Sequence, residues 1–130
     1  MEAFDEREIM ILERIVEAEA GGEDATGKLL VANVVLNRVH SDQFPGSIEE
    51  VVFQNDGRVF QFSPVGNGRY ETVCVSDETR EAVSRAIMGE DVSEGALYFA
   101  ARKYANAEAM KWFDEHLTLL FQHGGHEFFK

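Results

Sequence analysis

Residues 25–40 contain Leu29, Leu30, Val31, Ala32, Val34, Val35, Leu36 and Val39. At helical spacing these side chains surround nearly the whole circumference, and a helix that is apolar on every side is stable in water only when enclosed. A chain of 130 residues has material for one core. Residues 25–40 are therefore expected to be the central helix of a single domain spanning 1–130. Asn33 and Asn37, four residues apart on that helix, are expected to be hydrogen-bonded core amides that pin neighbouring loops.

The remaining segments supply the shell. Ile9, Leu12, Ile15 and Val16 repeat at helical spacing, with Glu6, Glu13, Arg14 and Glu17 opposite them. This predicts an amphipathic helix over 6–20 with a wet face, ended by Gly21-Gly22. Ser47 and Glu50 have capping-box spacing and predict a short helix through about Phe53. Residues 55–75 carry Gly57, Pro64, Gly66 and Gly68, with Phe60, Phe62, Val73 and Val75 alternating around them, which predicts a loop with a hairpin. A third long helix is expected over 77–88, with Gly89 beyond its end, and a short apolar strand over 96–101. Asn106 is placed to cap a helix over 107–115. Residues 117–121 and 126–129 flank Gly124-Gly125 and predict a second hairpin. The expected class is α+β, mainly helical with a small antiparallel sheet.

Charge narrows the partners. Lys and Arg number 12 against 24 Asp and Glu, a formal charge of −12. Phosphate backbones and anionic membrane surfaces both call for a basic footprint, so neither nucleic acid nor membrane is expected as a partner. Residues 1–24 hold nine acids, Glu2 among them, against Arg7 and Arg14, so the first helix carries most of the field. A hydrophobic fraction of 45% still supports a globular core. Cys74 is the one cysteine, so no internal disulfide can form; between Val73 and Val75 it reads as packing. The start, Met1-Glu2-Ala3-Phe4-Asp5-Glu6, lacks the basic and apolar stretches of a secretion leader, and none is expected. No apolar run is long enough to span a bilayer.

Glu19 breaks the pattern of the first helix. It lies three residues after Val16, four after Ile15 and seven after Leu12, which puts its carboxyl on the apolar stripe. Burial disfavours the charged form, and the last turn of a helix adds the negative end of the dipole, so the carboxyl is expected to hold its proton more tightly. A carboxylic acid still protonated near neutral pH is what general-acid cleavage of a glycosidic bond needs. The bland alternative is a boundary residue that reaches solvent past the glycines, and periodicity alone favours it. The stretch from Gln61 to Tyr70 mixes flat apolar rings with amides and hydroxyls, as a carbohydrate cleft does. By itself it reads better as an ordinary hairpin tip with one core Phe. His116, His123 and His126 lie near Asp114, Glu115 and Glu127, but no two-ligand helical spacing occurs, and no metal is expected.

Taken together, these segments resemble a known family. Val16-Glu17-Ala18-Glu19-Ala20-Gly21-Gly22-Glu23 is similar to the Ala-Glu-Ala-x-Gly-Glu signature of the SleB/CwlJ cell-wall hydrolases, the spore cortex-lytic enzymes. Residues 27–38 resemble the family's next helix with its Asn-Arg ending. Phe44-Pro45-Gly46-Ser47-Ile48, Val52-Phe53-Gln54 and Gln61-Phe62-Ser63-Pro64-Val65 resemble the segments that follow. Ala96-Leu97-Tyr98-Phe99 and Gly125-His126-Glu127-Phe128-Phe129 resemble its strands, so the likeness runs from about residue 9 to 129. The resemblance implies a lysozyme-like catalytic domain, with Glu19 as the catalytic acid and no cofactor. It implies peptidoglycan glycan strands as substrate, in spore enzymes those bearing muramic-δ-lactam. Without a leader or a separate peptidoglycan-binding domain, the chain is more similar to the short CwlJ-like members that act from the spore coat. That implies a place at the coat or cortex with spore-coat protein partners, or otherwise in the cell envelope, or the cytoplasm before release. Residues 100–116 depart from the Pro/Asn-rich loop often found there, and no substrate contact is assigned to them.

The expected reaction is cleavage between N-acetylmuramic acid and N-acetylglucosamine, with Gln61, Phe62, Ser63 and Tyr98 forming the cleft. Hydrolysis calls for a second carboxylate, and Glu23 is the local candidate. Without a secure second acid, lytic transglycosylation by one glutamate is preferred. The rivals are a muramidase or glucosaminidase that uses Glu23, a metal-dependent amidase, a non-catalytic cortex- or coat-binding protein, and a divalent-cation-responsive regulator.

Overall fold

A computed structural model describes residues 3–57 and 61–130. Helix α1 (Glu6–Ala20) opens where Asp5 accepts the Glu8 N–H at 2.8 Å, and α2 (Ala25–Val39) opens where Asp24 accepts the Gly27 N–H at 2.8 Å. As its patterning predicts, α2 is enclosed: Leu29, Leu30, Val31, Ala32, Val34 and Val35 are all buried. Ile11, Leu12, Ile15 and Val16 of α1 close one side of it. Helix α3 (Ile48–Val52) closes another, started by Ser47, whose hydroxyl accepts the Glu50 N–H at 3.1 Å. Burying this many aliphatic side chains, each worth about 1.5–3 kcal/mol, is the dominant favourable term.

The region 55–75 departs from the expected hairpin. Residues after Phe62 coil into α4 (Ser63–Asn67) and α5 (Arg69–Thr72), separated by Gly68 at φ +87°. Pro64 in the first turn of α4 lacks the N–H a strand ladder would need, and suits a helix start instead. The predicted alternation included Phe60, which lies outside the described residues, as does Glu2 of the acidic N-terminal stretch. Cys74, expected to pack, is exposed in the extended segment beyond α5.

Helix α6 (Asp77–Ile87) lies against α1 and α2 through Ala82, Val83 and Ala86. Its start corrects the expectation that Glu17 faces water. Glu17 Oε1 accepts the Ser76 N–H at 3.0 Å and the Thr79 hydroxyl at 2.7 Å. Burial pushes the Glu17 carboxyl up, but these bonds outweigh it and hold the group below the usual carboxylate range.

The sheet has the order β1-β3-β2, all antiparallel, from β1 (Tyr98–Ala100), β2 (Leu119–His123) and β3 (His126–Phe129). Phe128, Ala96, Leu30 and Val34 join the sheet to α2. Helix α7 (Ala107–His116), capped by Asn106 at 2.7 Å from the Ala109 N–H, crosses between β1 and β2. Asn33 and Asn37 act as loop pins: Asn33 bonds Glu90 O at 2.9 Å and the Val92 N–H at 3.0 Å, while Asn37 bonds Ser93 Oγ at 2.9 Å and Ala96 O at 2.8 Å. No helix among the described residues is long and apolar enough to cross a membrane.

Candidate active site

Glu19 sits in the last turn of α1, just before Gly21-Gly22. Its residue surface is only partly covered, but its carboxyl lies deep in the wall of a cleft. Burial raises the carboxyl from an ordinary 4.5 to about 7, while the guanidiniums of Arg69 and Arg38 pull the other way. Glu19 thus keeps its proton well above the ordinary carboxylate range, with two cations near enough to favour the carboxylate left by proton loss.

Two lobes of one cleft meet at Glu19. One, of about 580 Å³, is walled by aromatic rings, with Phe44, Phe62, Tyr98, Trp112 and Phe113 around Glu19 and Arg38. The other, of about 690 Å³, is more polar, with Glu23, Ser63, Arg69, Asn106 and His126 around the same Glu19. Gln61 and Phe99 border both lobes. A polymer laid through the cleft would have rings on both sides of the carboxyl, as cleavage within a strand requires.

All six residues marked in the sequence meet on this surface. Gln61 and Ser63 are exposed on its rim, and Tyr98 belongs to the aromatic lobe. Phe62 lines that lobe from beneath: at 2% exposure it is a core residue that forms the floor. Glu23 faces the polar lobe, but its Oε1 accepts the Gly125 N–H at 3.0 Å. Beside it Asp24 Oδ1 meets His123 Nε2 at 2.8 Å, so the two acids together hold the β2–β3 turn. The turn needs its glycines for this. Gly124 has φ +57°, and a Cβ there would strike Glu23 Oε1.

Several site residues carry no mark in the sequence pattern. Trp112 and Phe113 come from α7, in the segment to which no substrate contact is assigned; Trp112 is 45% exposed and its ring lies 6.3 Å from that of Tyr98. His126 is buried beside Phe99 and Phe128, with no partner for Nδ1. Burial holds its imidazole below the ordinary range although Glu23 opposes this, so it is neutral at pH 7. Arg38 is buried at the end of α2, and the available signal was a cation inside the most apolar helix of the chain. Among the described residues, no group of three His, Cys, Asp or Glu is placed to hold a metal ion.

Comparison with known proteins places this geometry among relatives. The Cell Wall Hydrolase family model matches residues 22–129. The spore cortex-lytic enzyme of Bacillus subtilis (strain 168) is 38% identical over 96 residues, covering 74% of this chain and 30% of that protein. The spore cortex-lytic enzyme of Oceanobacillus iheyensis is 35% identical over 98 residues, covering 75% and 34%. The chain thus spans about a third of the length of the curated relatives it matches. The solved catalytic domain of the germination-specific lytic transglycosylase SleB from Bacillus anthracis superposes with a TM-score of 0.85 at 28% identity, covering 100% of this chain and 99% of that one. The Bacillus cereus SleB catalytic domain gives 0.81 at 27%, covering 100% and 94%. Both share the mainly helical fold with its small antiparallel sheet.

Proposed function

The chain belongs to the cell wall hydrolase family, and on that premise we propose that it is a peptidoglycan lytic transglycosylase with Glu19 as both acid and base. The observation that carries this reading is a single carboxyl of raised proton affinity where two lobes of one cleft meet. Protonated Glu19 gives its proton to the oxygen between N-acetylmuramic acid and N-acetylglucosamine. The bond from that oxygen to the muramoyl C1 breaks, and an oxocarbenium-like centre develops at C1. Arg38 and Arg69 favour the Glu19 carboxylate so formed. The carboxylate then takes the proton of the muramoyl C6 hydroxyl, and O6 closes on C1. The products are a 1,6-anhydromuramoyl end and a free N-acetylglucosamine hydroxyl, with Glu19 reprotonated and no water consumed.

Glu23 is the alternative route to hydrolysis, since a second carboxylate would activate water or form a glycosyl intermediate. Its bond to the Gly125 N–H favours a structural role instead. The relatives' names point to spore cortex, so the proposed substrate is cortex glycan with its muramic-lactam residues. The proposed place of action is the cortex or coat, with coat proteins as partners, and residues 1–130 act as one catalytic domain.

Mass spectrometry of cortex digested by the wild type and by Glu19→Gln tests the mechanism. Anhydromuramoyl ends from the wild type alone are expected. Reducing muramic ends from the wild type would replace transglycosylation by hydrolysis and return Glu23 to the mechanism.

A further inference from the structure

Helix α7 carries one wall of the cleft on a thin footing. Ala109, Trp112 and Phe113 line the aromatic lobe, while Met110, Lys111, Asp114 and Glu115 lie on the opposite side of the helix, around a second hollow that takes in Arg102. Met110 is the one buried residue of α7. The Phe113 ring meets Phe129 of β3 at 5.1 Å and Tyr98 of β1 at 6.0 Å. A polar fastening joins these ring contacts. Arg102, two residues beyond β1, engages two carboxylates with its three guanidinium nitrogens. Nη1 and Nη2 donate to Asp114 Oδ2 and Oδ1 at 3.1 and 2.8 Å. Nε and Nη2 donate to Glu127 Oε2 and Oε1 at 2.7 and 3.1 Å. Glu127 belongs to the central strand β3, opposite Ala100 of β1 and Gln122 of β2. Lone surface ion pairs contribute little, but a planar fork that grips two carboxylates in parallel fixes orientation as well as charge.

We propose that Arg102 is a positioning residue for glycan binding: by tying Asp114 of α7 to Glu127 of β3, it sets Trp112 and Phe113 as the wall against which a sugar ring packs. The inference rests on the glycan-cleavage reading above and adds what holds that wall in place. Asp114 directly follows the two rings in the chain, so a shift of Asp114 carries them with it. The Trp112 ring is stacked on His116 of the same helix at 4.9 Å and 17°, so its orientation on α7 is set locally and the placement of the helix is what the clamp supplies. Arg102, Asp114 and Glu127 line neither lobe, whereas Glu19, on α1, lines both. Loss of the clamp should therefore weaken binding and leave proton transfer intact.

The test is titration calorimetry of the whole protein, carrying Glu19→Gln to prevent turnover, with a peptidoglycan tetrasaccharide bearing muramic lactam. Adding Arg102→Gln should weaken binding about three-fold or more, the scale of a lost ring contact. Asp114→Asn frees α7 while leaving Arg102 on Glu127, and should do the same; thermal midpoints check that both variants fold. With Trp112→Ala already in place, Arg102→Gln should change the affinity by less than about two-fold, because the exposed ring that the clamp positions is gone. A general loosening of the fold would weaken both backgrounds equally. In the protein that retains Glu19, Arg102→Gln should raise KM with kcat within about two-fold of the wild type. If the tetrasaccharide releases too little heat, KM carries the same comparisons. The assignment is overturned if Arg102→Gln and Asp114→Asn both leave affinity unchanged, if the loss is as large without Trp112 as with it, or if kcat falls and KM does not. Clamp-dependent binding without cleavage of any peptidoglycan by the wild type refutes the enzymatic reading alone; cleavage with a KM insensitive to Arg102 refutes this one alone.

Discussion

Replacing Glu19 by Gln should abolish cleavage and, in the same protein, raise stability in a pH-dependent way. In the unfolded chain Glu19 titrates at an ordinary 4.5, whereas in the fold burial raises it to about 7. Below 4.5 both states carry the proton and the residue contributes no pH dependence. Between 4.5 and 7 the unfolded chain releases its proton and the folded one retains it, so native stability falls as pH rises. Above 7 both are ionised and the full penalty is present. At about 1.4 kcal/mol per pH unit, the interval corresponds to about 3 kcal/mol. Gln carries no charge at any of these pH values and escapes the loss. The advantage of Glu19→Gln over the wild type should therefore grow by about 3 kcal/mol between about pH 4 and pH 8. Urea unfolding followed by the fluorescence of Trp112, the one tryptophan of the chain, measures it directly. Release of anhydromuramoyl ends should fall by about a hundred-fold or more in the variant. In the wild type it should decline as pH rises through about 7, where the proton donor is lost. A stability difference that stays flat from acid to alkaline pH would refute the claim that the Glu19 carboxyl is desolvated.

Three other changes probe the scaffold around it. Glu17→Ala removes the acceptor for the Ser76 N–H and the Thr79 hydroxyl, and should cost about 1–3 kcal/mol in urea melts while leaving kcat near the wild-type value. Because those bonds favour the carboxylate, that contribution should be complete above the ordinary glutamate range and fade as pH drops through the depressed value. Gly124→Ala sets a Cβ against Glu23 at a positive φ and should destabilise by about 1–3 kcal/mol, read as a lower thermal midpoint. Trp112→Ala removes an exposed ring from the aromatic lobe and should raise KM for glycan several-fold with kcat little changed. A fall in kcat alone would move Trp112 from binding to chemistry.

The sequence yields most where one physical constraint acts alone. The eight apolar side chains of 25–40 require enclosure, and α2 is enclosed. Three helical spacings put Glu19 on the apolar stripe, and its carboxyl is buried there. Glu17 shows the limit of the same method. Its phase points away from Leu12 and Ile15, but α6 arrives on that side with an N-terminus in need of an acceptor. Helical phase states what a residue turns away from, not what another element brings to it. In the region 55–75 the alternation of apolar residues imitates a strand pair, whereas Pro64 and the positive φ of Gly68 suit two short helices. The aromatic wall of α7 and the unpaired Arg38 Nη1 are tertiary facts. Trp112 meets Tyr98 only because α7 crosses beside β1, and a buried arginine looks in sequence like any helix-ending cation.

The stitches from Glu23 to Gly125 and from Asp24 to His123 join residues 102 and 99 positions apart. Contacts so distant in sequence form late, because the intervening chain must first be ordered. Synthesis makes α1 well before the β2–β3 turn. Before that turn docks, β1 has no partner in β3, and Phe99, which borders both lobes of the cleft beside Glu19, has no sheet to hold it. The wall of the cleft that Phe99 forms beside Glu19 is therefore complete only when these two distant segments meet.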